Sequence, residues 1–143
     1  MTQTITRSVE QLVAEASETI RTLSVEQAMA MYGRDDVQFV DVRDVRELAE
    51  TGRIPGARHV PRGMLEFWID PKSPYHKEFF AADKTFVFYC ALSWRSALAT
   101  RAAQDMGLAP VAHFEGGFEA WREAGGAVEP PRKENASRDL TRL

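Results

Sequence analysis

The chain is poor in cysteine. Cys90 is the single thiol among 143 residues, so no intramolecular disulfide can form, and a zinc site built from several thiolates is excluded. A reducing, cytoplasmic setting is the expectation that follows. Long apolar runs are missing as well: no stretch approaches the roughly 20 uncharged apolar residues of a membrane helix. In the opening segment Glu10, Glu15 and Glu18 interrupt every apolar run and Arg7 is the one early cation, which argues against a secretory signal and against membrane contact. Nor does one sign of charge dominate. Against 21 Asp and Glu stand 18 Lys and Arg, a net charge of -3, which offers no global field to nucleic acid. Of the 3 histidines, His76 and His113 have no Cys or carboxylate at ligand spacing, so no metal site is expected.

With 44% hydrophobic and 27% charged residues, the composition is that of one soluble domain, long enough to bury roughly two thirds of its unfolded surface without covalent staples. No internal repeat or low-complexity block is visible. Three segments are expected: a helical N-terminal extension over 1–23, a main domain over 24–129 and a polar, proline-broken tail over 130–143. Ser8-Val9-Glu10-Gln11 has capping-box spacing, and Val9, Leu12, Val13, Ala16 and Ile20 recur at helical intervals. This amphipathic helix is free to pack on its own domain or to form a homodimer. A second box, Ser24-Val25-Glu26-Gln27, opens a shorter helix that Gly33 ends.

The main domain alternates short apolar strands with helical patterns. Val37 to Val42 reads as strand, Asp44 with Glu47 as the capped start of a helix ending at Gly52, and Arg58 to Val60 as a very short strand stopped by Pro61. The aromatic stretch from Arg62 to Asp83, broken by Pro71 and Pro74, is expected to be an irregular helical excursion. Thr85 to Tyr89 is apolar without alternation, the pattern of a central strand buried on both faces. A helix from Arg95 to Met106 follows, with Leu98, Ala102 and Met106 on one face; then come a strand at Val111 to Phe114 and a last helix from Phe118 to Ala124. The expectation is an α/β fold: a central parallel sheet of about five short strands with helices on both faces.

In such sheets ligands gather beyond the carboxyl ends of the strands, where Cys90 stands, between a buried strand and the amino end of a helix. A loop formed by Ala91, Leu92, Ser93, Trp94, Arg95 and Ser96 would aim backbone N–H groups at the sulfur. Those donors and the helix dipole favour negative charge there, so the thiol is expected to ionise near neutral pH and act as a nucleophile. Arg95 adds a permanent cation that can hold an anionic substrate or fasten the loop. Taken alone, an unpaired cysteine after an apolar strand is more often core filler.

Three further segments change that weighting. Asp41-Val42-Arg43 with Glu47, the run Gly52-Arg53-Ile54-Pro55-Gly56-Ala57-Arg58-His59-Val60-Pro61, and Gly116-Gly117-Phe118-Glu119-Ala120-Trp121 flank the Cys90 to Ser96 loop in a fixed order. Together they resemble the single-domain rhodaneses, a sulfurtransferase family, over about residues 24 to 129. The resemblance implies a rhodanese-like fold. It implies that Cys90 takes a sulfane sulfur from thiosulfate or a persulfide, carries it as a persulfide and passes it to cyanide, a thiol or a protein acceptor, without metal or organic cofactor. Ser93 departs from the glycine of many family loops, and a positive φ there would strain a serine.

The remaining candidates are weighed beside that frame. Asp41 can accept hydrogen bonds near the loop, and Arg43 and Glu47 are spaced to pair with each other, which makes these three scaffold before chemistry. Arg58 and His59 fall in the resembling segment, where Arg58, like Arg62, could supply charge for a substrate. Leu92 and Trp94 are expected to flank the mouth. Two other readings stay in view. One is a non-catalytic rhodanese-like binding module, whose cysteine would alkylate as an ordinary thiol. The other is a Cys-based phosphatase, whose loop needs one residue more than the four separating Cys90 from Arg95.

Overall fold

The computed structural model describes residues 2–131; of the expected tail, 132–143 lie outside the described residues. Five strands form one parallel sheet: β1 (Arg21–Leu23), β2 (Val37–Asp41), β3 (Arg58–His59), β4 (Thr85–Tyr89) and β5 (Val111–Phe114), in the order β1-β5-β4-β2-β3. Six α-helices connect and cover them: α1 (Val9–Thr19), α2 (Val25–Met31), α3 (Val45–Thr51), α4 (Leu65–Ile69), α5 (Trp94–Asp105) and α6 (Gly117–Glu123). The stretch from Arg62 to Asp83 is the irregular excursion expected, with two 3-10 turns around α4.

β4 is central because its run of Phe86, Val87, Phe88 and Tyr89 can bury both faces. Phe86 and Phe88 enter one core with Val40, Val42, Val60, Leu65, Ala99 and Ala103, while Val87 and Tyr89 enter the other with Phe39, Ile54, Phe114, Phe118 and Trp121. The sheet is thus covered on both sides, as an all-parallel sheet must be. After β2 the chain runs through α3 toward β3 at one edge; after β4 it runs through α5 toward β5 on the other side. The carboxyl ends of β2 and β4 are hydrogen-bonded neighbours, Val42 N–H donating to the Tyr89 carbonyl at 3.0 Å. The chain diverges there, which makes this the topological switch point of the sheet.

Two expectations are corrected. Residues 21–23, which the sequence reading leaves in a helical extension, form edge strand β1, with Arg21, Thr22 and Leu23 in register with Ala112, His113 and Phe114. Three residues with one buried side chain give no period to recognise; pairing with β5 makes the strand. The buried face of α5 is not Leu98, Ala102 and Met106 but Ser96, Ala97, Ala99, Thr100 and Ala103. Small side chains let this helix lie close on the sheet, so the larger residues turn outward.

The extension packs on its own chain through Ala16 and Ile20, and Arg101 and Gln104 of α5 hydrogen-bond Thr19. Ile5, Val9 and Leu12, toward its amino end, are exposed. At the far end Glu129 makes an antiparallel bridge with Arg53, backbone and side chain together. Gly52, with φ +82°, lets the chain pass there, because a Cβ would collide with the Glu129 carbonyl. Among the described residues no helix is long and apolar enough to cross a membrane.

Candidate active site

Cys90 follows β4 directly and is 1% exposed, at the switch point. Its Sγ accepts the N–H of Ser96, at 3.4 Å, from the first turn of α5. That amide has no acceptor within its own helix, and the aligned dipole of a 12-residue helix favours an anion at the same place.

The loop is held from outside by its carbonyls. Phe118 N–H donates to the Cys90 carbonyl at 2.8 Å, Glu119 N–H to that of Ala91 at 3.1 Å, and Ala97 N–H to that of Ser93 at 3.0 Å. In a planar trans peptide the N–H points opposite to the C=O, so the amides of Ala91, Leu92 and Trp94 face away from these partners. The paired glycines have a mechanical part in this: at Gly117, with φ +54°, a Cβ would strike the carbonyls of Leu92 and Cys90. Only glycine lets the start of α6 come near enough to hold the loop. Ser93 has φ -161°, outside the left-handed region, and no described non-glycine residue has positive φ. The positive φ that would have strained Ser93 is absent. Leu92 and Trp94 stand exposed.

The ionic pairing differs from the spacing argument. Arg43 and Glu47 do not pair. Arg43 turns back on Asp41, Nε to Oδ1 at 3.0 Å and Nη2 to Oδ2 at 2.7 Å, and also donates to the Gly52 carbonyl and the Thr51 hydroxyl. Its guanidinium lies over the Phe118 ring, 4.3 Å from the centroid. Burial works against this charge, and Asp41 more than restores it, leaving the Arg43 pKa raised. Asp41 is therefore spent on Arg43 and on the turn after β2. Tyr89 lies beside this pair, its hydroxyl accepting from Ile54 N–H; burial first, and then the Asp41 charge, push its pKa up.

Glu47 instead crosses to the loop. Arg95 grips it with both terminal nitrogens, Nη1 to Oε2 at 2.8 Å and Nη2 to Oε1 at 2.9 Å. The same carboxylate caps α3 through Asp44 N–H. Hydrogen bonding to Arg95 holds the Glu47 carboxyl below its usual range, and Glu47 in turn raises Arg95. Arg95 thus fastens the first turn of α5 to the first turn of α3. Arg58 lies over the Phe79 ring at 5.0 Å, and Arg62 pairs with Glu66 at 2.9 Å. Neither has a hydrogen bond to the loop among the described contacts.

One group escaped sequence reasoning. His113 of β5 is 2% exposed, with Nδ1 at 2.9 Å from Ser96 Oγ and Nε2 at 3.0 Å from Thr22 Oγ1. Burial lowers its pKa to about 4. Set aside at the sequence level because it lacks metal partners, it sits behind the very turn that faces Cys90. A polar residue in an otherwise apolar strand was the available signal, and its hydroxyl partners lie 17 and 91 residues away. His59 bonds the Arg43 carbonyl and His76 the Trp68 carbonyl, both structural.

Comparison with known proteins agrees with this architecture. A protein from Rhodopseudomonas palustris, of unknown function and described as a possible tyrosine phosphatase, is 57% identical; the match covers 90% of this chain and 99% of that one with a TM-score of 0.88. A thiosulfate sulfurtransferase from Pseudomonas aeruginosa is 27% identical with a TM-score of 0.69, over 85% of this chain and 22% of that longer one. The thiosulfate:glutathione sulfurtransferase of Homo sapiens is 27% identical over 108 residues, 71% of this chain and 93% of that protein. The model of the rhodanese-like domain matches residues 24–124, so that the parallel sheet, the Cys90 loop and the glycine pair that holds it identify this chain as a member of the rhodanese family.

Proposed function

We propose that the protein is a sulfurtransferase that carries sulfane sulfur on Cys90. The observation that carries this reading is the Cys90 sulfur at the amino end of α5, accepting the Ser96 amide, inside a loop whose carbonyls are drawn outward. A thiolate there attacks the outer sulfur of thiosulfate or of an organic persulfide. The new Cys90 S–S bond takes that sulfur, and sulfite or a thiolate leaves with the electron pair of the broken bond. The resulting Cys90-S-S⁻ places its charge one sulfur further out, where the loop amides and the helix dipole favour it. Cyanide, a small thiol or a thiol on a partner protein then attacks the terminal sulfur and departs as thiocyanate or a new persulfide, returning the Cys90 thiolate. Donor and acceptor exchange in turn at one atom, so the kinetics are ping-pong.

Arg95 in this scheme is a positioning residue whose charge is largely matched by Glu47. Leu92 and Trp94 form an apolar rim suited to an organic persulfide or a protein donor as well as to thiosulfate.

The phosphatase description of the Rhodopseudomonas relative gives a second reading. Four residues separate Cys90 from Arg95, one fewer than a phosphate-wrapping loop uses, and the Arg95 fork is occupied by Glu47. Both features favour a cradle for a single sulfur. The experiment is intact mass spectrometry of the reduced protein after thiosulfate, mercaptopyruvate or glutathione persulfide, then cyanide. The expected result is a cyanide-removable gain of one sulfur at Cys90, lost in Cys90→Ser, which stays folded. Full turnover in Cys90→Ser, or hydrolysis of p-nitrophenyl phosphate without sulfur loading, overturns the reading.

A further inference from the structure

The steps above use Cys90, the loop amides and the first turn of α5, and they leave a buried histidine behind that turn unexplained. His113 shares β5 with apolar residues, lies on the α5 side of the sheet and touches no atom of the thiol among the described hydrogen bonds. Its two ring nitrogens meet two hydroxyls, Ser96 Oγ at 2.9 Å and Thr22 Oγ1 at 3.0 Å. The Ser96 hydroxyl also reaches the Ser93 carbonyl at 3.1 Å, and the Ser96 amide is the one that faces Cys90 Sγ.

Proton counting orders this chain. Ser96 has one hydroxyl proton and two acceptors in reach, the Ser93 carbonyl and His113 Nδ1. If that proton goes to Ser93, then Nδ1–H donates to Ser96 Oγ and the Thr22 hydroxyl donates to Nε2. Each donor then has an acceptor, and the dipoles run head to tail from Thr22 to the Ser93 carbonyl. The opposite direction leaves the Ser93 carbonyl with the Ala97 amide alone. The first arrangement needs one ring N–H, hence a neutral imidazole, and burial keeps His113 neutral down to about pH 4.

The chain ends on the peptide between Ser93 and Trp94. A carbonyl held by two donors fixes that plane and polarises the Trp94 N–H, which opens α5 beside Cys90. We propose that His113 is a positioning residue of the sulfur cradle, acting through the Ser96 hydroxyl to fix the Ser93–Trp94 peptide and the α5 amides that face Cys90. Its consequence for turnover rests on the sulfur-carrier reading; its consequence for the thiol does not. Thr22 anchors the far side of the ring, which gives edge strand β1 a part in the active site.

The test uses the full-length protein with His113→Leu, His113→Asn and Ser96→Ala. Three quantities are read: the iodoacetamide alkylation rate of Cys90 at pH 7, the rate at which cyanide discharges the loaded persulfide, and the urea midpoint. His113→Leu is expected to slow alkylation and discharge about tenfold, the scale of a weakened anion donor. Asn keeps an N–H facing Ser96 and restores both rates to within about threefold, although it also loses the Thr22 contact. Ser96→Ala keeps the amide on the sulfur, loses the hydroxyl and follows Leu. Wild-type rates in a folded His113→Leu, or Asn no better than Leu, overturn the inference. If His113→Leu does not fold, Ser96→Ala decides alone, and wild-type rates there overturn it. Should the wild-type protein load no sulfur while alkylation follows the stated order, the carrier reading fails and the positioning role stands. If the wild type loads sulfur and the variants match it, the reverse holds.

Discussion

Two of the arginine–carboxylate forks among the described residues, Arg43 with Asp41 and Arg95 with Glu47, are opposite in environment. Arg43 and Asp41 are 2% and 1% exposed in their side chains, while Arg95 and Glu47 are 44% and 30% exposed. Both are two-nitrogen grips with nearly equal distances. The buried pair ties the turn after β2 to the end of α3 and to the aromatic face of α6, and removing one partner strands the other in a medium that cannot solvate it. The outer pair joins the first turns of α3 and α5 in water, where screening leaves an ion pair little net stability. Geometry alone would rate them equal; burial makes one a part of the frame and the other an adjustable brace beside the Cys90 loop.

The largest effect that can break this comparison comes from Arg43→Met. It leaves the Asp41 carboxylate buried without its cation, and urea unfolding should show a loss of about 3–5 kcal/mol. Replacing Asp41 by Leu in the same chain should recover a good part of that loss, because two apolar groups leave no stranded charge. A cost for Arg43→Met no larger than that of breaking the outer pair would overturn the distinction.

Acid titration gives an intermediate effect from the other buried group near the site. An ordinary histidine titrates near 6.5, as His113 does when unfolded, and burial moves it to about 4 when folded. Between those values the unfolded chain takes up a proton that the folded one refuses, so stability is complete above about pH 6.5 and is lost as pH falls toward 4. The loss from pH 7 to pH 5 should be about 2 kcal/mol in chemical unfolding, and His113→Asn should flatten it. Glu47 acts in a lower window: its lowered pKa gives stability that is present above 4.5 and fades as pH drops through its folded value. An equal slope between pH 7 and 5 in His113→Asn would show that other groups carry it.

Glu47→Gln gives the smallest stability change and sharpens the functional side. Glutamine can still accept the Asp44 N–H at the helix start, so the variant removes charge more than capping. The expected stability loss is about 0.5–1 kcal/mol and shrinks in salt. On the sulfurtransferase reading, Arg95 is left with an unmatched charge beside the loop, so KM for thiosulfate should fall roughly threefold at low salt. A sulfane-sulfur donor without net charge, such as a neutral organic trisulfide, should show no such change in steady-state kinetics. An unchanged KM for thiosulfate would place the Arg95 charge beyond reach of the donor.

Much of the frame could be read from the residues. The Ser8, Ser24 and Asp44 capping boxes form as spaced, since each is satisfied within four residues. The uninterrupted apolar run of β4 is central, because such a run has no alternative to burial on both faces. The glycine pair was legible as motif, and its cause became visible only where Gly117 meets the Cys90 and Leu92 carbonyls. Part of what escaped involves partners far apart in sequence, as Arg95 with Glu47 and His113 with Thr22, and part is a local pairing assigned to the wrong neighbour. The i, i+4 rule pairs Arg43 with Glu47, but it describes a continuous helix. Arg43 precedes α3, so its side chain was free to fold back on Asp41.

Local order, the strand–helix alternation and the address of Cys90 were determined by the sequence itself, because propensity, capping and hydrophobic period act over a few residues. Only the tertiary structure decided that Arg95 holds Glu47, that Arg21–Leu23 lies in the sheet, and that His113 stands behind the turn that faces Cys90. Those outcomes depend on which side chains the strand order brings together and which of them are cut off from water, and neither quantity is local to any stretch of the chain.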